Sequence, residues 1–244
     1  CSSQVYKGVK EVDQYKGKLS RLDTYLQLNP QKCQDEYVAL LKIAKEKKNE
    51  SLETILHIYQ GTILYYTGKN DSAVVYFDKA IALATKIGNE QLRASASIRR
   101  IFVIDGTSDI KISMRLMRDE YNEAKKHKDT LNMIYAINGI AMYYERMDST
   151  KQCIDYYMRG MKLAQKNKNE FEYGFLLNNF GLLKLRLKDP TEALIDFKKG
   201  MEIAKRLENI RLELILKENI GYYYMEVDSL DKAEKEYQDA LQIA

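Results

Sequence analysis

Apolar residues recur along this chain at the three- and four-residue spacing of helices, and the helices so marked come in pairs whose pattern repeats every forty residues. The repeat is clearest in residues 178–204, NNFGLLKLRLKDPTEALIDFKKGMEIA. There Gly181 is followed by Ala193 twelve positions later, Phe197 sixteen later and Gly200 nineteen later, with Asp189-Pro190 between. A helix, a short turn and a second helix put those small residues where the two helices touch, because only a small side chain lets helices approach closely. Asp189 is placed to accept from the free amides of the second helix, Pro190 suits its first position, and Glu192 stands where a capping box has its acid.

The same phases return throughout. Ala44, Ala84, Ala124, Ala164, Ala204 and Ala244 fall in register, as do Tyr37, Phe77, Met117, Tyr157, Phe197 and Tyr237 at the bulky position. The small position reads Cys33, Ala73, Ser113, Cys153, Ala193 and Ala233, and the cap position reads Asn29, Lys69, Asp109, Ser149, Asp189 and Ser229. Asn49, Asn89, Asp129, Asn169 and Asn209 mark the turns between pairs, where such residues either end one helix in the left-handed conformation or cap the next. The expected fold is therefore all-α, an α-solenoid of about six helix pairs, near 11–50, 51–90, 91–130, 131–170, 171–210 and 211–244, after a tether of residues 1–10. The first helix reads from Glu11 to Leu28, with Tyr15, Leu19, Leu22 and Leu26 on one face and Arg21 at the glycine phase. Residues 91–130 carry Ile101 at the glycine phase, Met117 at the bulky phase and Glu120 at a small phase, with a loop-like turn at 105–109, so irregular packing is expected there. Residues 131–170 move their glycine to Gly139 and put Ala141 at the repeat phase.

The spacings Gly61/Ala73/Phe77/Ala80, Gly181/Ala193/Phe197 and Gly221/Ala233/Tyr237/Ala240 resemble the tetratricopeptide repeat (TPR) family. A forty-residue period, longer than the family's usual 34, is similar to the long-helix variety found in bacterial peptide-sensing regulators and kinesin light chains. The resemblance covers residues 11–244. It implies a right-handed superhelix whose first helices line a concave groove, with a protein or peptide ligand in it.

The groove positions implied include Asn138, Asn178, Asn179 and Asn219, set one repeat apart as two amide columns. A side-chain amide both donates and accepts, so such a column can hold the backbone of an extended peptide without reading its side chains. Tyr59, Tyr135 and Tyr222 would supply pockets between the amides, and Arg99, beside Arg93 and Arg100, would receive a carboxylate. The same residues have plainer uses, since asparagine near a helix contact satisfies neighbouring polar groups and aromatics at helical spacing fill cores.

Composition narrows the function. The chain has 244 residues, 45% hydrophobic and 30% charged, with two prolines and twelve glycines, which suits a nearly all-helical soluble protein. A net charge of +4, with lysines spread through every repeat, argues against a nucleic-acid face in this segment. No run approaches eighteen apolar residues, so no membrane-spanning helix is expected. Cys33 and Cys153 sit at the buried small phase, three repeats apart, too far for a disulfide.

The opening Cys-Ser-Ser-Gln resembles the start of a processed bacterial lipoprotein, which implies a lipid on Cys1 as the sole membrane contact. The protein would then sit in a bacterial cell envelope, facing the periplasm or the surface, or in the cytoplasm if Cys1 is only where the sequence was cut. His57 and His127 lie in different repeats without partners at metal-ligand spacing, and no nucleophile motif or phosphate loop is present, so neither catalysis, metal nor cofactor is expected. The expectation is a non-enzymatic protein- or peptide-binding scaffold on an envelope lipoprotein. The alternative is the sensor part of a longer signalling or transcriptional regulator continuing past Ala244. The apolar face of the last helix (Ala233, Tyr237, Ala240, Leu241) suggests a homodimer through the C-terminal pair.

Overall fold

The computed structural model describes residues 6, 9–28, 30–105 and 109–243. Cys1 and most of the expected tether, the cap position Asn29, residues 106–108 of the loop-like turn and Ala244 lie outside the described residues. Among the described residues the chain is all-α. A 3-10 helix, Lys10–Tyr15, leads into α1 (Lys16–Leu28), α2 (Pro30–Glu46), α3 (Glu50–Tyr66), α4 (Asn70–Lys86), α5 (Glu90–Ile104) and α6 (Ile110–Lys126). These are followed by α7 (Thr130–Arg146), α8 (Thr150–Lys166), α9 (Glu170–Arg186), α10 (Pro190–Arg206), α11 (Ile210–Glu226) and α12 (Leu230–Ile243). They make the six pairs of an all-α solenoid, in two compact units, Cys1–Gly139 and Ile140–Ala244, with the boundary inside α7.

A typical helix here has 17 residues and is followed by a turn of three, so the forty-residue repeat is two such steps. The three-residue turns from α2 onward, other than that between α5 and α6, share one construction. The middle residue takes the left-handed conformation, as in Lys48, Lys128, Lys168 and Glu208 with φ of 49°, 56°, 54° and 48°. The next residue donates its backbone N–H to the carbonyl five residues back: Asn49 to Ala44 and Asn209 to Ala204, at 2.8 and 2.9 Å. This is the Schellman closure of a helix end. The same asparagine then caps the following helix, Asn49 Oδ1 accepting from the amide of Leu52 at 2.9 Å and Asn209 Oδ1 from that of Leu212 at 2.9 Å. The asparagine thus serves both helices, and the left-handed residue is the one before it.

Within pairs, the expected caps are fewer. Asp109 and Asp189 accept from the amides of Lys111 and Glu192, whereas Lys69 and Ser149 make no side-chain cap bond. The capping box at Asp189 is one-sided. Its backbone N–H already donates to the Lys184 carbonyl at 2.9 Å, so the Glu192 carboxylate turns to the Lys184 ammonium at 3.3 Å instead.

The repeated glycines make room for rings. A Cβ on Gly61, Gly181 or Gly221 would lie 2.8, 2.7 or 2.8 Å from an edge carbon of Phe77, Phe197 or Tyr237 on the paired helix. Gly139, two residues off the repeat phase, faces Met117 and Phe102 of the preceding pair, with 2.7 Å from its Cβ site to Met117 Cε. The third pair is irregular as expected: α5 stops at Ile104 after 15 residues. Glu120, at a small phase, is accommodated because Arg93 donates to both its oxygens at 3.2 Å and Ser97 to one of them at 2.6 Å. Packing also begins before residue 11, since Val9 and Val12 are buried and Tyr6 packs against the same core. Cys33 and Cys153 are buried, and burial lifts their thiols to about 11 and about 12. No described helix is long and apolar enough to cross a membrane.

His57 is packed rather than poised for chemistry. Its ring lies 5.8 Å from Tyr76 on α4, its Nε2 is 3.8 Å from Glu53, and its buried Nδ1 has no hydrogen-bond partner. Burial lowers its pKa; Glu53 opposes the shift, and Lys79 and Lys45 add to it.

Two measurements check this packing. Gly181→Ala must displace the Phe197 ring, at about 1–3 kcal/mol, against a gain of about 0.5–1 kcal/mol for alanine over glycine in a helix. Thermal melting should fall for Gly181→Ala, be restored towards the parent by adding Phe197→Leu, and rise for Gly17→Ala, where no atom lies within 4 Å of the added Cβ. For His57, the folded pKa lies below the ordinary value of 6.5, so the unfolded chain takes the proton first. Stability is complete above that pH and falls as pH drops below it. Urea unfolding across this range should show the decline in the parent and lose that step in His57→Gln.

Candidate functional site

Asn178 and Asn179 lie in the middle of α9, and Asn219 lies at the matching height of α11, so the equal helix lengths bring them together. The Asn219 side chain donates to Asn178 Oδ1 at 2.7 Å, and the Asn178 side chain donates to Asn179 Oδ1 at 3.2 Å. The amides therefore form a diagonal relay across two first helices, in place of the expected column pairing Asn179 with Asn219. Asn178 is 2% exposed and serves as the inner link; Asn179 and Asn219 are half-buried. Asn219 enters the relay as a donor, and its own carbonyl oxygen accepts from no described residue.

Apolar side chains flank this relay. Leu182 follows Asn179 by one helical turn and is half-buried, while Tyr222 and Met225 follow Asn219 along one face of α11 and are 43% and 50% exposed. The Tyr222 hydroxyl is hydrogen-bonded to the Glu226 carboxylate, which raises its pKa. Tyr237 donates to Met225 Sδ at 3.4 Å, orienting the thioether from α12. The result is a surface in the second unit with an amide acceptor set between an aromatic ring and two flexible aliphatic side chains.

The other four expected groove residues are inside the first unit. Tyr59 is 1% exposed and donates to Asp23 on α1 at 2.7 Å. Tyr6 donates to the other oxygen of that carboxylate at 3.4 Å. Burial first, and Asp23 second, push the Tyr59 phenol well above its ordinary pKa. Arg99 is buried with its guanidinium 5.4 Å from the Tyr135 ring centroid, donating to the Ser95 carbonyl at 2.8 Å and its hydroxyl at 2.6 Å. Tyr135 and Asn138 are also buried.

Bulky side chains at these phases fill the space between neighbouring first helices, so Tyr59, Arg99 and Tyr135 act as interior anchors rather than groove contacts. The expected basic group is dispersed as well, Arg93 pairing with Glu90 and Glu120 and Arg100 with Asp78. Met225, which helical spacing places on the same face as Asn219 and Tyr222, is 50% exposed there. Its exposure depends on where α12 stops covering α11, which no local pattern encodes. Among the described residues, no group of three His, Cys, Asp or Glu side chains is placed to hold a metal ion.

No protein-family model matches the chain, and no curated protein does. Solved structures are similar to it. A Rap protein complexed with Competence and Sporulation Factor matches with a TM-score of 0.72 at 14% identity, over 98% of this chain and 66% of that one. The apo quorum sensor NprR from B. thuringiensis matches with a TM-score of 0.52 at 12% identity, over 96% of this chain and 65% of that one. A kinesin light chain from P. anserina with nearly identical TPR-like repeats gives 0.53 at 10% identity, over 80% and 94%. This chain thus spans about two thirds of the Rap and NprR chains. At such identities the likeness concerns the fold, and the fold of this chain is that of the TPR-like helical repeat proteins.

Proposed function

We propose that this chain is a non-enzymatic scaffold that binds an extended peptide on the amide face of its second unit. The observation that carries this reading is the relay Asn219–Asn178–Asn179 set beside exposed Tyr222 and Met225. A peptide strand presents one N–H and one C=O per residue. The open carbonyl oxygen of Asn219 takes an N–H, and Asn179 meets the backbone one helix away. Side chains of the peptide then rest on Leu182, Tyr222 and Met225, which gives affinity with modest sequence selectivity. Because Asn178 holds both neighbours in place, the face is ordered before the ligand arrives, which lowers the cost of binding. Among proteins of this fold, a Rap protein is known in complex with Competence and Sporulation Factor and NprR is a quorum sensor, and both support a recognition role.

The test avoids Asn178, whose removal would strand buried amides and cost stability. A display library of random heptapeptides is panned against the full chain, and the enriched peptides are synthesised with a fluorescent label. Asn179→Ala and Tyr222→Ala should each weaken their binding by about tenfold, the effect of losing roughly 1.4 kcal/mol, with melting unchanged for Tyr222→Ala and lowered, the chain still folded at assay temperature, for Asn179→Ala, which removes the acceptor of the buried Asn178 amide. Peptides that bind both variants as tightly as the parent, or a library that yields none, would refute the reading.

A further inference from the structure

A cleft in the second unit lies apart from the amide face. The end of α8, the turn after it, the start of α9 and the second half of α10 border a cleft of about 540 Å³, lined among others by Lys168, Lys199, Arg206, Glu170, Glu202 and Tyr173. None of the residues of the amide face lines it. Arg206 and Glu170 pair at 3.0 Å and offset each other. Lys168 and Lys199 are exposed and take part in no ion pair with a described residue, which leaves only Glu202 against them. Their surroundings are basic too. Lys162 and Lys166 on α8 and Lys198 and Lys205 on α10 are exposed and likewise take part in no ion pair with a described residue.

The fold does not demand this charge. One repeat further on, the residues that correspond to Lys168 and Lys199 are Glu208 and Asp239, and Glu208 has the same left-handed backbone, φ 48° against 54°. One geometry therefore carries opposite chemistry in two successive repeats, so the lysines are free to answer a partner.

We propose that this cleft is a second recognition site, taking an acidic peptide segment that places carboxylates on Lys168 and Lys199 and an apolar side chain on Tyr173. The cleft falls in the size range that holds a ligand of a few side chains. A nucleic-acid backbone fits it poorly, because Glu170 and Glu202 interrupt the positive lining that a run of phosphates needs. An alternating acidic and apolar segment meets both the lysines and the ring, and the carboxylate–ammonium contacts make its capture dependent on salt.

The experiment uses the full chain and a fluorescein-labelled hexapeptide alternating glutamate and leucine, followed by anisotropy at low and at physiological salt. The comparison protein is the double variant Lys168→Glu/Lys199→Asp, which installs the residues found one repeat on and so keeps a backbone the fold already tolerates; circular dichroism and melting verify that it folds. The parent should bind, the double variant should lose tenfold or more, a lysine–leucine peptide should not bind, and Asn179→Ala/Tyr222→Ala should bind as the parent does. The proposal is overturned by absence of binding to the parent or by equal binding to the double variant. It is also overturned if a thymidine oligonucleotide or anionic phospholipid vesicles depend on Lys168 and Lys199 as strongly as the peptide does. Retention of acidic-peptide binding in Asn179→Ala/Tyr222→Ala separates this site from the amide face, whichever of the two survives its own test.

Discussion

The amide of each asparagine between pairs reaches the carbonyl of an alanine five residues behind it, and in most of them its side chain takes a free amide of the helix ahead. That double use of one residue keeps the turn to three positions. A longer turn would let the second helix of one pair slide against the first helix of the next, and residues forty apart would no longer share a height. The amide relay, the ring-over-glycine contacts and the two charge patterns at Lys168/Lys199 and Glu208/Asp239 all depend on that shared height. The helix ends also need a small residue three positions from the close, and Ala44, Ala84, Ala164 and Ala204 are fully buried there.

Much of the architecture was legible because this constraint leaves a periodic trace. A glycine that must admit a phenyl ring, an alanine at a Schellman closure and an asparagine that caps are each restricted to few residue types, and recurrence every forty residues multiplies three weak signals into one strong one. The same logic explains the misreadings. Ser149 and Lys69 stand where Asp189 caps but make no cap bond, since water can serve the first amides of an exposed helix as well as a side chain does. Glycine holds the left-handed position at Gly68 and Gly88, but Lys48, Lys128, Lys168 and Lys188 hold it elsewhere, so in those turns the residue that bends the chain is not the one that looks like a turn.

The candidate site was legible in face but not in depth. Helical spacing says that Tyr59, Arg99 and Asn179 point to one side of their helices; it does not say how closely the neighbouring helix approaches. In the first unit that approach buries Tyr59 against Asp23 and Arg99 against Tyr135. In the second, Asn219 and Tyr222 stay at the surface. A tyrosine whose hydroxyl finds a carboxylate is stable in the interior, and an arginine stacked on an aromatic ring with its N–H groups bonded is stable there too. Sequence pattern treats both as surface residues because it sees neither partner.

A repeat that constrains backbone so tightly leaves function to the positions it does not constrain. The last residue of the turn, the alanine phase and, where a ring faces it, the glycine phase tolerate little change, since each touches a helix end or a ring. Positions such as 168, 199, 208 and 239 touch only solvent and a neighbouring surface, and there lysine and acid exchange without altering φ by more than a few degrees. Chemistry can therefore vary from one repeat to the next at little structural cost. On this argument the departures from the repeat, more than the repeat itself, are where recognition resides. The amides of α9 and α11 and the charged positions 199 and 239 on α10 and α12 vary in that way, on different helices of one unit, so two proposed ligands would each leave the packing that supports the other undisturbed.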